Sequence, residues 1–186
     1  MTNKNKDFFL VAIIGFLVGW LLLMPLKNLG FEIKPLLVLA SVIGLTLFAP
    51  LALSVLKLLS RRFRVLEQFG KFAAVGTLNT LLYLAVINLL IFLTDVSRGT
   101  FYSLFVALGF LVSTTNSYLW NKFWTFQSRV PINIREYGRF AFFTLIGLSI
   151  NAGTASLIVN VIGAPGDFNP KLWANVGALA AVFVSL

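Results

Sequence analysis

The sequence predicts an all-α, polytopic transmembrane helix bundle with six spans, and three observations predict it. Of the 186 residues, 59% are hydrophobic and 11% are charged, against roughly 25% charged in an ordinary soluble domain. The charge-free intervals run 8–26, 35–56, 72–94, 99–121, 140–166 and 172–186, and most reach the ~20 residues a helix needs to cross a bilayer. Stretches such as Leu10–Leu23 and Leu78–Leu93 are apolar on every side, without the alternation of a barrel strand. A helix also satisfies its own backbone hydrogen bonds inside lipid.

Taken in order, the first interval follows Lys4 and Lys6 and resembles a signal peptide superficially. Its apolar run continues to Leu26 and no A-x-A-like cleavage site follows, so an uncleaved helix is expected. With the second interval it forms an accessory hairpin, residues 1–65. The third to fifth intervals are full spans, the fifth with residues to spare for a loop at Ala164-Pro165-Gly166. The sixth has 15 residues and stops at Leu186.

Residues 66–186 contain a repeat. Phe69-Gly70-Lys71-Phe72 opens the third span and Tyr137-Gly138-Arg139-Phe140 the fifth. Beyond them the register shifts by four residues, one helical turn, which keeps the same face. At a spacing of 72, Asn79 matches Asn151, Asn88 matches Asn160, Asp95 matches Asp167 and Ser113 matches Ser185. The last four spans therefore form two parallel two-helix repeats, 69–126 and 137–186, related by a pseudo-two-fold axis along the membrane normal. The counterpart of Phe126 would fall beyond Leu186, so the second copy is expected to be incomplete and the natural protein to continue.

Lys and Arg placement predicts orientation. The N-terminal arm carries Lys4 and Lys6. The 2–3 loop and its helix ends carry Lys57, Arg61, Arg62, Arg64 and Lys71, and the 4–5 loop carries Lys122, Arg129, Arg135 and Arg139. Against these stand Lys27, Lys34, Arg98 and Lys171, which makes the N-terminus cytoplasmic. The formal charge of +9 thus marks a membrane face; scattered over helix ends, it does not form a nucleic-acid surface. There is no His and no Cys, which excludes disulfides, Cys/His metal sites and Cys–His or Ser–His nucleophile chemistry.

The paired openings, Gly76 with Asn79 a turn later, and the segment from Asn116 through Trp120, Lys122 and Trp124 to Phe126 together resemble the GtrA-like family of small polytopic membrane proteins, over residues 66–186. The resemblance implies a four-helix unit of the prokaryotic plasma membrane, associated with cell-surface polysaccharide synthesis. Its implied role is to move a polyprenyl-phosphate-linked sugar between leaflets. The hairpin at 8–60 is an addition to the family's common unit.

Such cargo needs cationic donors at one face and neutral hydrogen-bonding groups along the path, because a charge in the bilayer centre costs at least ~2.5–3.5 kcal/mol. Lys71, Lys122 and Arg139 are candidates to hold the phosphate; alternatively they set topology and snorkel to headgroups. Asn79, Asn116 and Asn151 lie inside spans and either line a polar path or hydrogen-bond across helices. Trp120 and Trp124 either stack on a sugar or belong to an interfacial aromatic belt. Asn88 and Asn160, near the opposite interface, are expected to be solvated, and Asp95 and Asp167 to serve as turn or cap residues. Gly15 and Gly19, and the small face of Gly177, Ala178 and Ala181, are read as close helix packing, which leaves room for a homo-oligomer.

No ionisable residue occupies the middle of a span, which disfavours a proton-coupled antiporter. No D-x-D pair, phosphate loop or paired intramembrane carboxylates are present, so neither an enzyme, a metal nor a cofactor is expected. Two functions stand: translocation of a polyprenyl-phosphate-linked monosaccharide, or a non-transporting adaptor that anchors a membrane glycosyltransferase. Membrane lipids are partners under both.

Overall fold

The computed structural model describes residues 3–60, 62, 65–128, 131 and 133–185. Among the basic residues used for orientation, Arg61, Arg64 and Arg129 lie outside the described residues, as does Leu186.

The described residues are helices and connecting loops: α1 (Asn3–Leu21), α2 (Leu23–Asn28), α3 (Pro35–Leu59), α4 (Val65–Thr94), α5 (Gly99–Trp120), α6 (Ile134–Ser156) and α7 (Pro170–Ser185). The first predicted span is α1 and α2 together. Pro25 accounts for the break at Leu22: it has no N–H to give the Leu21 carbonyl, and its ring crowds that group. Pro35, by contrast, opens α3 at the position where a missing N–H costs nothing. Two helices end in π-helical turns, α5 through Asn121–Thr125 and α6 through Leu157–Ile162.

Four segments are long and apolar enough to cross a membrane: Asn5–Asn28, Pro35–Leu59, Val65–Thr94 and Ile134–Ile162. The α5 helix has 22 residues and a stretch of Ser and Thr towards its end; α7 has 16. Outward-facing Leu47, Phe48 and Leu51 on α3, and Phe142, Phe143 and Leu145 on α6, are exposed. Contiguous apolar surface of this kind suits lipid and would be a liability in water.

The last four helices close a ring, with α4 against α5, α5 against α6, α6 against α7 and α7 against α4. A two-fold relation between the two hairpins would place equivalent bonds 72 residues apart. One such pair is present. Asn88 Nδ2 donates to Asn175 Oδ1 across α4–α7 at 2.7 Å, and 72 residues on, Asn160 Nδ2 donates to Ser103 Oγ across α6–α5 at 3.2 Å.

The accessory hairpin packs α1 on α3 with almost no side chain between them. A Cβ on Gly15 would stand 2.2 Å from the Leu45 carbonyl oxygen, and one on Gly19 would stand 2.6 Å from that of Ser41. The packing reading of this GxxxG pair therefore holds. Val11, Ile14 and Val18 then meet Val75 and Leu78 of α4, with Leu53 and Trp124 closing the cluster. A second apolar core fills the opposite half of the ring: Ile87, Ile91, Tyr102, Val106, Ala155, Ala174, Ala178 and Ala181.

Candidate functional site

Call the end holding the α1, α4 and α6 N-termini the basic face. From it a cavity of about 550 Å³ runs into the ring, lined from α4 by Phe72, Gly76, Asn79, Thr80 and Tyr83. The α5 side contributes Ser113, Thr114, Ser117 and Asn121; α6 contributes Phe140, Phe143, Thr144, Gly147 and Asn151; α7 contributes Ser185. The eleven residue steps from Phe72 to Tyr83 rise about 16 Å at 1.5 Å each, roughly half of a ~30 Å hydrocarbon layer. The lining is thus apolar at the mouth, neutral and hydroxyl- or amide-rich within, and free of charge.

At the floor the Tyr83 hydroxyl donates to Asn151 Oδ1 at 2.9 Å, and Asn151 Nδ2 donates to Ser185 Oγ at 3.2 Å. Below lies the second apolar core, where the packing is tight. A Cβ on Gly177 would fall 2.4 Å from Val159 Cγ2, and Tyr102 spends its hydroxyl on the Ala174 carbonyl at 2.7 Å. Higher in the cavity Asn116 Nδ2 donates to Asn79 Oδ1 at 2.7 Å. The sequence alternatives for these amides are therefore not exclusive: Asn79 and Asn151 both bond across helices and line the cavity, while Asn116 backs the wall. Asn121 Nδ2 donates to Ser117 Oγ at 3.2 Å, but its Oδ1 is buried without a hydrogen-bond partner. A buried orphan acceptor in a cavity wall costs about 1–3 kcal/mol unless something donates to it.

Two of the predicted cations, Lys71 and Lys122, are engaged in ion pairs within the protein. Lys71 is 4% exposed and sits 2.9 Å from Asp7 Oδ2. Lys57 reaches the same oxygen at 3.0 Å, and Trp124 Nε1 donates to Asp7 Oδ1 at 3.0 Å. Glu67 lies 3.6 Å from Lys57 and 3.8 Å from Lys71. Two lysines are thus matched by two carboxylates, and Trp124 is buried instead of sitting in an exposed belt. Trp120 packs edge-on to Trp124 with ring centroids 5.6 Å apart. Lys122 is likewise buried and bonds Glu136 at 2.5 Å, with the Tyr118 hydroxyl on the same carboxylate oxygen at 2.6 Å. Arg139 differs. It is exposed, has no ion-pair partner among the described residues, and precedes Phe140 of the cavity mouth.

Sequence reasoning missed Asp7, Glu136 and Tyr83, and used Lys57 for orientation alone. Only Glu136 carries a local signal: Asn133 is the N-cap of α6 and accepts from the Glu136 N–H at 2.8 Å, the start of a capping box. Asn88 is a correction of another kind. It is 0% exposed and not solvated, because α2 and α7 cover it and Asn28 Nδ2 donates to its Oδ1 at 2.8 Å. Asn160 is exposed yet bonded, accepting the Gly99 N–H at 2.6 Å.

A ring of apolar helices with a lipid-facing exterior, a duplicated hairpin and a neutral polar cavity defines a polytopic membrane protein. The family model for the GtrA/DPMS transmembrane domain matches residues 71–185. The chain belongs to that family, and the match leaves α1–α3 outside it. No curated protein and no solved structure matches the chain.

Proposed function

We propose that the protein translocates a polyprenyl-phosphate-linked monosaccharide across the cell membrane, with the basic face cytoplasmic, in the service of polysaccharide or glycolipid synthesis. The observation that carries this reading is the neutral polar cavity that starts at the basic face and stops at mid-depth. Its volume falls within the ~300–1,000 Å³ of small-molecule sites. Its walls offer amides and hydroxyls to a sugar, and the orphan Asn121 Oδ1 takes a sugar O–H. The exposed apolar rim of Phe72 and Phe143 leaves the polyprenyl tail in lipid while the head enters.

Charge arithmetic revises which residue holds the phosphate. Lys71 and Lys122 are already neutralised by Asp7 and Glu136, so Arg139 is the ligand, with a planar fork suited to a phosphate. Lys71 and Trp124 serve the cargo indirectly, by tying the accessory hairpin to α4 and to the end of α5. The protein acts without catalysis. With no ionisable group at mid-span, net movement follows the lipid gradient set by consumption of the sugar on the far side.

The test is flux of a labelled polyprenyl-phosphate sugar in vesicles holding the full chain. Faster crossing than in empty vesicles supports translocation; equal rates overturn it. The adaptor alternative keeps support from the accessory hairpin, whose α3 offers a long exposed apolar face outside the matched family domain. Equal flux together with co-purification of a membrane glycosyltransferase would establish it.

A further inference from the structure

A second cleft, of about 560 Å³, opens at the face opposite the cavity, lined by Lys27, Asn28, Gly30, Phe92, Asp95, Ser97, Asn169, Pro170 and Lys171. It gathers the C-terminal end of α2, the α4–α5 turn and the start of α7. The 24 residue steps from Lys71 on α4 to Asp95, just past its end, place it about 36 Å from the basic cluster at 1.5 Å per residue, on the other side of a hydrocarbon layer ~30 Å thick.

Its chemistry is that of an anion site. Two lysines line it against one carboxylate. Asp95 is 84% exposed and bonds Lys171 at 2.7 Å; that hydrogen bond, with the lysine's charge, holds its carboxyl below the ordinary carboxylate range. The lining therefore carries one net positive charge at neutral pH. Lys27 has no ion-pair partner among the described residues, and its ammonium rests over the Phe92 ring, 4.2 Å from the centroid. Ser97 is a separate pointer. It is only 8% exposed and lines the cleft, yet its side chain has no hydrogen-bond partner among the described residues. That leaves the hydroxyl free to donate into the cleft. The cleft is built on a firm base, since Asn28 beside Lys27 donates to both the backbone oxygen and Oδ1 of Asn88 at 2.8 Å. Asn175 Nδ2 in turn donates to the Lys171 carbonyl at 2.9 Å.

We propose that this cleft binds the phosphate of a lipid headgroup at the far leaflet, with Lys27, which no carboxylate neutralises among the described residues, as the charged donor, Ser97 as the neutral one, and Lys171 beside them, shared with the exposed Asp95. Its role as a discharge seat rests on the translocation reading; the binding does not. A phosphate leaving the bilayer interior needs a cationic receiver there, and the exposed Lys27 releases what it holds.

The test is lipid binding to the full chain in a phosphate-free maltoside detergent, followed by native mass spectrometry. The probes are phosphatidic acid, inorganic phosphate and diacylglycerol. The Lys27→Gln/Lys171→Gln variant is expected to bind phosphatidic acid about tenfold more weakly, as loss of a charge-assisted contact implies. Ser97→Ala, which disturbs no bond, is expected to weaken binding severalfold, and Lys34→Gln, at an exposed lysine outside the cleft lining, to leave binding unchanged. Binding of inorganic phosphate alone, weakened by the same variants, would assign the seat to a free anion and keep the site. Equal affinity of wild type and both far-face variants for phosphatidic acid, or equal binding of diacylglycerol, overturns it. Absence of flux in vesicles would sink the translocation reading while leaving this result standing.

Discussion

Asp7→Ala removes the carboxylate that joins the accessory hairpin to the ring, and its cost follows from the geometry. The single side chain receives Lys71 at 2.9 Å, Lys57 at 3.0 Å and the Trp124 indole at 3.0 Å. Stripping one partner from a buried ion pair costs about 3–5 kcal/mol, mostly because the other charge is stranded. Here Lys57 is 16% exposed and Glu67 remains 3.8 Å from Lys71, so the lower figure of ~2–3 kcal/mol applies after partial compensation. For a chain of this size ~1 kcal/mol moves the midpoint by about 2–4 °C, which gives a drop of roughly 4–12 °C in thermal unfolding of the detergent-purified protein. The Asp7→Ala/Lys71→Met double variant should recover much of that loss, since no buried charge is left unmatched. A single variant that melts with the wild type, or a double variant as unstable as the sum of its parts, would refute the claim that this pair fastens the hairpin.

Three further outcomes are expected. Arg139→Ala should lower sugar-lipid flux at least about tenfold, the worth of one charge-assisted phosphate contact, with no change in melting because the side chain is exposed. Asn88→Ala should destabilise by about 1–2 kcal/mol, read by melting, because it leaves the Asn28 and Asn175 amides without their shared partner; Asn160→Ala, at an exposed site, should cost less. Gly15→Leu should destabilise strongly, since its Cβ meets the Leu45 backbone at 2.2 Å, whereas Gly44→Leu, whose Cβ meets nothing within 4 Å, should melt with the wild type.

Much of the architecture was legible in the sequence because membrane helices announce themselves by where charge is missing. The spacing of 72 that relates Asn88 to Asn160 also relates their partners Asn175 and Ser103, a match the sequence alone could not single out. What the linear pattern does not carry is pairing at the ends of spans. Asp7 reads as the tail of a polar arm, and only the packing of α1 on α4 brings it to Lys71. Lys122 reads as a free cation because Glu136 reaches it across a loop. Asn88 was misjudged for a similar reason: its place near the end of a span suggests water, yet α2 folds back over it. The cavity follows from four helices at once, and no single stretch of sequence contains it.

The most direct measurement of whether the sugar passes through that cavity is flux through a plugged ring. Gly76 lines the cavity and a Cβ there meets nothing within 4 Å, so Gly76→Trp fills the space without displacing a neighbour at its first carbon. Gly44→Trp, on the exposed surface of α3, is the matched control. Flux at the level of empty vesicles for Gly76→Trp, beside wild-type flux for Gly44→Trp, is the predicted result. Wild-type flux through both variants would contradict it.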